Sequence, residues 1–320
     1  MVLPSNKIKA LLRHSMKKIH FKKVAAVLAI SVGVFVLTLL LLMSLESPNR
    51  KTLVQELPQE LMHLPPIAYD LQVSAPQVTA KNIYIFDPIA LSVLYEKQSD
   101  VSVPPASTTK LMTALVTLNS FQLTDTISLP AARLVVGSSS KIASTATWSV
   151  EQLLHALLVS SGNDAAIALA QAHPQGYDGF VAAMNQEASD LDLHQTHFNN
   201  VSGLDSPGHV SSARDLAFLT LEIMRHPLLR EIVAAPEVSV YDTTGQITAK
   251  LFSTNELLGR EPGVMGVKTG KTEAALECLI TWVERNNHPV VLVVLGSTDR
   301  FGDTKKLIEW VYTNFEWIQV

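Results

Sequence analysis

The chain has only one cysteine, Cys278, so no intramolecular disulfide can form, and no cysteine-nucleophile signature surrounds it. In its apolar segment Cys278 is expected to be a small buried hydrophobe. No H-E-x-x-H or similar spacing exists. Asp192, His194 and His197 lie close together without such a pattern and are read as capping or solvated groups, with no metal. There is no internal repeat and no low-complexity tract. Charged residues are 17% of the chain against 47% hydrophobic, which excludes global disorder. Residues 1–23 contain no acid at all, but seven bases: Lys7, Lys9, Arg13, Lys17, Lys18, Lys22 and Lys23. They carry +7 of a net charge of −4, which leaves −11 on the remainder, and that acidic balance argues against nucleic acid as a partner.

Directly after the basic segment comes a run of 22 residues without a charge, Val24–Leu45. A helix needs roughly 20 apolar residues to cross the hydrocarbon core of a bilayer. A cleaved signal peptide would have a shorter apolar region, roughly 7–15 residues, and an A-x-A-like site, and no such site is present after the run. The expectation is therefore one uncleaved transmembrane helix over 24–45. The preceding cations and the succeeding Glu46 place residues 1–23 in the cytoplasm and everything after about residue 46 outside. Residues 46–78, with Pro48, Pro58, Pro65, Pro66 and Pro76, read as a stem.

The body, 79–320, opens with two β-like runs, Asn82–Phe86 and Leu91–Tyr95, around a turn at Asp87-Pro88. Near the end come Glu277–Val283 and Val290–Gly296, joined by a hairpin turn at Arg285-Asn286-Asn287-His288. An amphipathic helix is expected over Thr304–Phe315, with Leu307, Ile308 and Val311 on one face. The intervening chain reads as mostly helical: Leu111–Leu118; Ser149–Val159, with Ser149 and Gln152 in a capping-box pattern; and Asp164–Ala172 after Asn163, a good N-cap. Strands at both ends with helices between predict one α+β body whose antiparallel sheet is built from both termini.

Three short motifs carry chemistry. Ser107-Thr108-Thr109-Lys110 is an S-x-x-K, whose ends lie on one helix face a turn apart. A desolvated lysine there can be neutral and take the serine's proton, and a serine at a helix start has backbone N–H groups near a developing oxyanion. Ser15…Lys18 and Ser138…Lys141 share the spacing, but only Ser107 combines a preceding Pro-Pro stop with a succeeding apolar helix. Ser161-Gly162-Asn163 falls between two expected helices, where the serine could relay a proton and the amide orient a peptide bond; taken alone, Asn163 reads as a helix cap. Lys268-Thr269-Gly270 comes after the apolar run Val264–Val267. A strand edge with a cation and a hydroxyl can seat a carboxylate, and Gly270 lets a substrate backbone approach. Ser161 lies 54 positions after Ser107, and Lys268 lies 105 after Asn163.

In that order the motifs match the active-site serine penicillin-binding proteins and β-lactamases. Their surroundings narrow the match: PPASTTKLMTALVTL at Pro104–Leu118, VSSGNDAAIALA at Val159–Ala170, HFNNVSGLDSPGHVSSARDLA at His197–Ala217 and VMGVKTGKT at Val264–Thr272. From about residue 80 to about residue 300 the chain resembles the low-molecular-mass penicillin-binding proteins that are serine D-Ala-D-Ala carboxypeptidases. The resemblance implies a penicillin-recognising serine transferase fold, β-lactamase/transpeptidase-like. It implies Ser107 as nucleophile, Lys110 as its base, Ser161 and Asn163 as a second catalytic pair, and Lys268 with Thr269 and Gly270 as the seat of the substrate's terminal carboxylate. The backbone N–H groups of Ser107 and Lys271 would form the oxyanion hole. Its expected partners are the peptidoglycan stem peptide and β-lactam antibiotics, with no cofactor. The lipid bilayer would be met through the N-terminal helix, in a bacterial cytoplasmic membrane with the catalytic domain outside.

One departure concerns Lys271, where the family often has histidine or an aromatic residue; only its backbone role is carried over. Arg214 and Asp215 read as a helix start capped by Ser211 or Ser212. The rival functions are a D,D-endopeptidase using the same serine, a β-lactamase, and a non-catalytic wall-binding scaffold. A β-lactamase typically has S-D-N and a deacylating glutamate, whereas here the motif is Ser-Gly-Asn with no matching glutamate loop.

Overall fold

The computed structural model describes residues 67–129, 136–140, 142–246 and 248–318. The basic segment, the expected transmembrane helix and the stem as far as residue 66 lie outside the described residues. The remainder of the expected stem is part of the folded body. Strand β1 (Ile67–Asp70) pairs antiparallel with the last strand, β11 (Phe315–Ile318), and the Val73 carbonyl accepts from the indole N–H of Trp310 at 2.8 Å. Prolines and weak periodicity hid this strand because its partner lies at the far end of the chain.

The main sheet has five antiparallel strands: β2 (Asn82–Asp87), β3 (Ser92–Lys97), β8 (Val264–Thr272), β9 (Leu276–Arg285) and β10 (His288–Ser297), in the order β3-β2-β10-β9-β8. Early β2 and late β10 are neighbours, with Phe86 opposite Val291 and Ile83 opposite Val294, so both ends of the sequence build the sheet as expected. The central strands β2 and β10 lack a polar/apolar alternation because both their faces are covered. Ile83, Ile85, Leu292 and Val294 pack on Leu307, Ile308 and Val311 of the terminal helix. Tyr84, Phe86, Val291 and Val293 face the helical region. The β9–β10 turn is a two-residue loop with Asn286 and Asn287 at φ 53° and 62°, a conformation asparagine tolerates well. Cys278 on β9 is buried, and burial pushes its thiol pKa up to about 11, as suits a structural residue.

The helical region holds α1 (Lys110–Ser120), α2 (Val150–Leu158), α3 (Asn163–Ala172), α4 (Gly176–Asp190), α5 (Ala213–Arg225) and α6 (Pro227–Ala234). Helix α7 (Arg300–Asn314) covers the other face of the sheet. It starts earlier than the expected Thr304 because Asp299 caps it, accepting from the Gly302 N–H at 2.9 Å. Ser149 caps α2 through the Gln152 N–H, but Gln152 does not close the capping box: its Oε1 accepts from the Tyr241 N–H. Two small hairpins interrupt what reads as helical sequence, β4 (Thr126–Ser128) with β5 (Thr147–Ser149), and β6 (Glu237–Tyr241) with β7 (Thr248–Phe252). Ser212 caps α5, accepting from the Asp215 N–H, and Arg214 pairs with Glu96 and Asp100.

Candidate active site

Ser107 sits in a 3-10 turn, Ala106–Thr109, that runs directly into α1. Ala106 is held at φ 49°, a left-handed conformation unusual for alanine and costing about 1–3 kcal/mol. Two packing contacts fix it. Gly203, at φ 86°, lies so close that a Cβ there would fall 1.8 Å from the Ala106 carbonyl oxygen. On the other side a Cβ on Gly270 would stand 2.9 Å from Ala106 Cβ and 3.0 Å from Ser107 N. Gly270 therefore lets edge strand β8 lie against the turn, a demand of the fold beyond the substrate access expected of it.

Helix α1 is buried around its first two turns, Lys110 included at 0% exposure. Lys110 Nζ lies 3.0 Å from Ser107 Oγ and donates to the Ser202 carbonyl at 2.7 Å. Burial, then the nearby Lys268 cation, hold its pKa well below that of an ordinary lysine, against a smaller upward pull from Asp164.

The second motif turns the chain from α2 into α3. Ser161 adopts φ 60°, and Gly162 leaves no room for a side chain, since a Cβ would sit 2.5 Å from Asp164 Oδ1 and 2.6 Å from Ser140 Cβ. Asn163 is the first helical residue and not the cap; that position belongs to Gly162, which has no side chain to offer. The amide of Asn163 is drawn elsewhere: Nδ2 donates to the Val136 carbonyl at 2.6 Å, and Oδ1 is buried with no partner among the described residues. Asp164 ties the loop 138–140 beside it, accepting from the hydroxyls of Ser139 and Ser140 at 2.7 Å each.

On β8, Lys268 is 1% exposed and donates to Ser161 Oγ at 2.9 Å. Burial, then Arg300, bring its pKa down to about 7. Thr269 Oγ1 bonds the Thr254 hydroxyl. Lys271 is exposed and bridges to Glu277, its cross-strand partner, at 2.9 Å, which accounts for its side chain without any role toward substrate. The eight residues singled out from the sequence thus lie on the 106–109 turn and the start of α1, on the α2–α3 connection and the start of α3, and on β8. Gly270 stands against Ser107, Lys268 against Ser161, and the Lys268 charge is felt at Lys110.

Sequence reasoning missed several contributors. Arg300, at the start of α7, donates from Nη1 to the Gly270 carbonyl at 3.0 Å and has a buried Nε with no partner among the described residues. Asn200 Oδ1 gathers the N–H groups of Ser202, Gly203 and Leu204, shaping the loop that gives Lys110 its carbonyl. Arg300 belongs to no motif and carried no signal, but the Asn-x-Ser-Gly run before it in the chain held one: a glycine inside a polar turn signals close approach.

A serine hydroxyl beside a fully buried lysine, on a turn packed against the edge of an antiparallel sheet, defines an α+β protein of the penicillin-binding-protein-like class. Comparison with solved structures agrees. A Streptomyces DD-transpeptidase superposes with a TM-score of 0.72 at 31% identity, covering 75% of this chain and 100% of that one. The family model described as D-alanyl-D-alanine carboxypeptidase matches residues 70–299, and the chain belongs to that family. Among relatives, D-alanyl-D-alanine carboxypeptidase DacF of Bacillus subtilis is 30% identical over 246 residues, 74% of this chain and 63% of that protein. The D-alanyl-D-alanine endopeptidase of Pseudomonas aeruginosa is 37% identical over 229 residues, 69% of this chain and 73% of that one.

Proposed function

We propose that the chain is a serine D-Ala-D-Ala carboxypeptidase that removes the terminal D-alanine of peptidoglycan stem peptides and is acylated by penicillins. The observation that carries this reading is Lys110 Nζ, 3.0 Å from Ser107 Oγ at full burial. A neutral amine keeps one N–H on the Ser202 carbonyl and offers its lone pair to the Ser107 O–H. As Oγ bonds to the carbonyl carbon between the last two D-alanines, the serine proton passes to Lys110. The C–N bond then breaks, and a proton reaches the leaving amine, with Ser161 Oγ as the relay. Water hydrolyses the ester and restores Ser107. The substrate's terminal carboxylate is seated by Lys268 and Thr269, with Arg300 adding charge behind Gly270. Asn163 Oδ1, without a partner among the described residues, takes an N–H of the peptide, and the N–H groups of Ser107 and Lys271 receive the oxyanion. The apolar run over 24–45 supports a single-pass anchor in the cytoplasmic membrane, with residues 1–23 inside and this body outside.

A second reading is D,D-endopeptidase action on cross-links, favoured by the 37% identity to the Pseudomonas aeruginosa endopeptidase. Digestion of purified muropeptides separates the two. The carboxypeptidase converts pentapeptide monomers to tetrapeptides with release of D-alanine, and Ser107→Ala abolishes it. Monomers released from dimers, with pentapeptides untouched, would replace the first reading by the second.

A further inference from the structure

His209 touches none of the groups assigned to substrate, yet both of its ring nitrogens are committed to segments that hold Ser107 and Lys110. It is buried, beside the ring of Phe198. Nδ1 accepts the backbone N–H of Asn199 at 2.9 Å, so that nitrogen bears no proton. Nε2 lies 2.9 Å from Thr109 Oγ1, and the Thr109 hydroxyl donates to the Ala106 carbonyl, also at 2.9 Å. A hydroxyl has one proton. Having given it to Ala106, Thr109 can only accept from the ring, which fixes His209 as the neutral Nε2–H tautomer. Burial, then His197, push the ring's pKa down to about 4, against an upward pull from Asp205, so this tautomer is the form present at neutral pH.

The two ends of this relay lie on different walls of the site. Thr109 and Ala106 belong to the turn that carries Ser107. Asn199 opens the loop whose Ser202 carbonyl holds Lys110 and whose Gly203 presses on Ala106. We infer that His209 is a positioning residue that clamps the Ser107 turn to the 199–204 loop, setting the approach of Lys110 to Ser107 by donating through Thr109 to Ala106. This rests on Ser107 being the acylated residue. Nucleophile and base must meet within a narrow geometry, so a small drift between the two walls slows acylation more than it weakens binding.

The test uses the full chain with benzylpenicillin as probe, separating the acylation rate constant from the affinity of the first complex. His209→Gln can place an amide N–H on Thr109 Oγ1, whereas His209→Leu fills space without a donor. The expected result is a loss of at least about tenfold in the rate constant for the leucine variant, little change in affinity, and recovery to within about threefold in the glutamine variant. A folded His209→Leu that acylates at the wild-type rate, or two variants that lose equally, overturns the inference. If His209→Leu fails to fold, Thr109→Ser and Thr109→Val put the same question: the serine variant keeps the rate and the valine variant loses it, and equal rates overturn the clamp. A wild-type chain that takes no penicillin would instead remove the Ser107 reading on which the clamp rests.

Discussion

Lys110 and Lys268 are both fully buried amines, and at the residue scale the chemistry lies in how differently they are held. Burial, then Lys268, hold the Lys110 pKa well below an ordinary lysine's, while Lys268, at about 7, keeps enough charge near neutral pH to meet a carboxylate. With Lys110 as the proposed base, acylation rises with pH as Lys110 deprotonates. With Lys268 as the proposed carboxylate seat, which needs its charge, kcat/KM falls again as pH passes through about 7. In kcat this alkaline limb should shift to higher pH, because a bound carboxylate stabilises the ammonium. Rates measured from about pH 5 to 10 check this; a kcat/KM profile that rises monotonically across that range contradicts it. For both lysines the folded pKa lies below the unfolded value, so the unfolded chain binds more protons in between. Their burial therefore costs stability at neutral pH, and for Lys268 that cost fades from about pH 7 upward. The motif residues themselves were legible from order and spacing. Arg300 and His209 were not, because each acts through a neighbour that only the fold supplies.

At the scale of elements, the site depends on how closely β8 approaches the 106–109 turn. A methyl group at position 270 would press on Ala106 Cβ and Ser107 N. Gly270→Ala is expected to cost about 1–3 kcal/mol of stability by overpacking and to slow acylation by roughly a hundredfold, since the turn must shift. Thermal unfolding together with penicillin acylation rates measures both effects. Wild-type values in both would mean that the strand is free to retreat and that the contact is unimportant. The strands β2, β3, β9 and β10 and the covered faces of α1, α2 and α7 were readable from apolar runs and turn residues. The hairpins β4–β5 and β6–β7 were not, because strands of three to five residues leave too little periodicity to separate them from helix. Asn163 shows the same limit in another form. A good capping residue was visible, but the pull of the Val136 carbonyl on its amide was not.

For the whole molecule, the feature that makes a site possible is a sheet whose middle is closed by chain ends more than 200 residues apart. Leu295 pairs with Asn82 in the sheet, and Asp303 at the start of α7 binds the Thr79 hydroxyl at 2.7 Å. That closure presents β8 as the free edge beside the helical region and brings turn, loop and strand into one place. Strands at both ends announced it. The pairing of β1 with β11 did not show, because the proline-rich sequence up to Pro76 resembles a linker. If these distant segments together activate one hydroxyl, a penicillin adduct will form at that hydroxyl alone. After incubation of the full chain with benzylpenicillin, digestion and mass spectrometry should find a single adduct, on the peptide containing Ser107, and none in Ser107→Ala. No adduct on the wild-type chain, or an adduct that survives Ser107→Ala, would mean that the Ser107 hydroxyl is not the nucleophile.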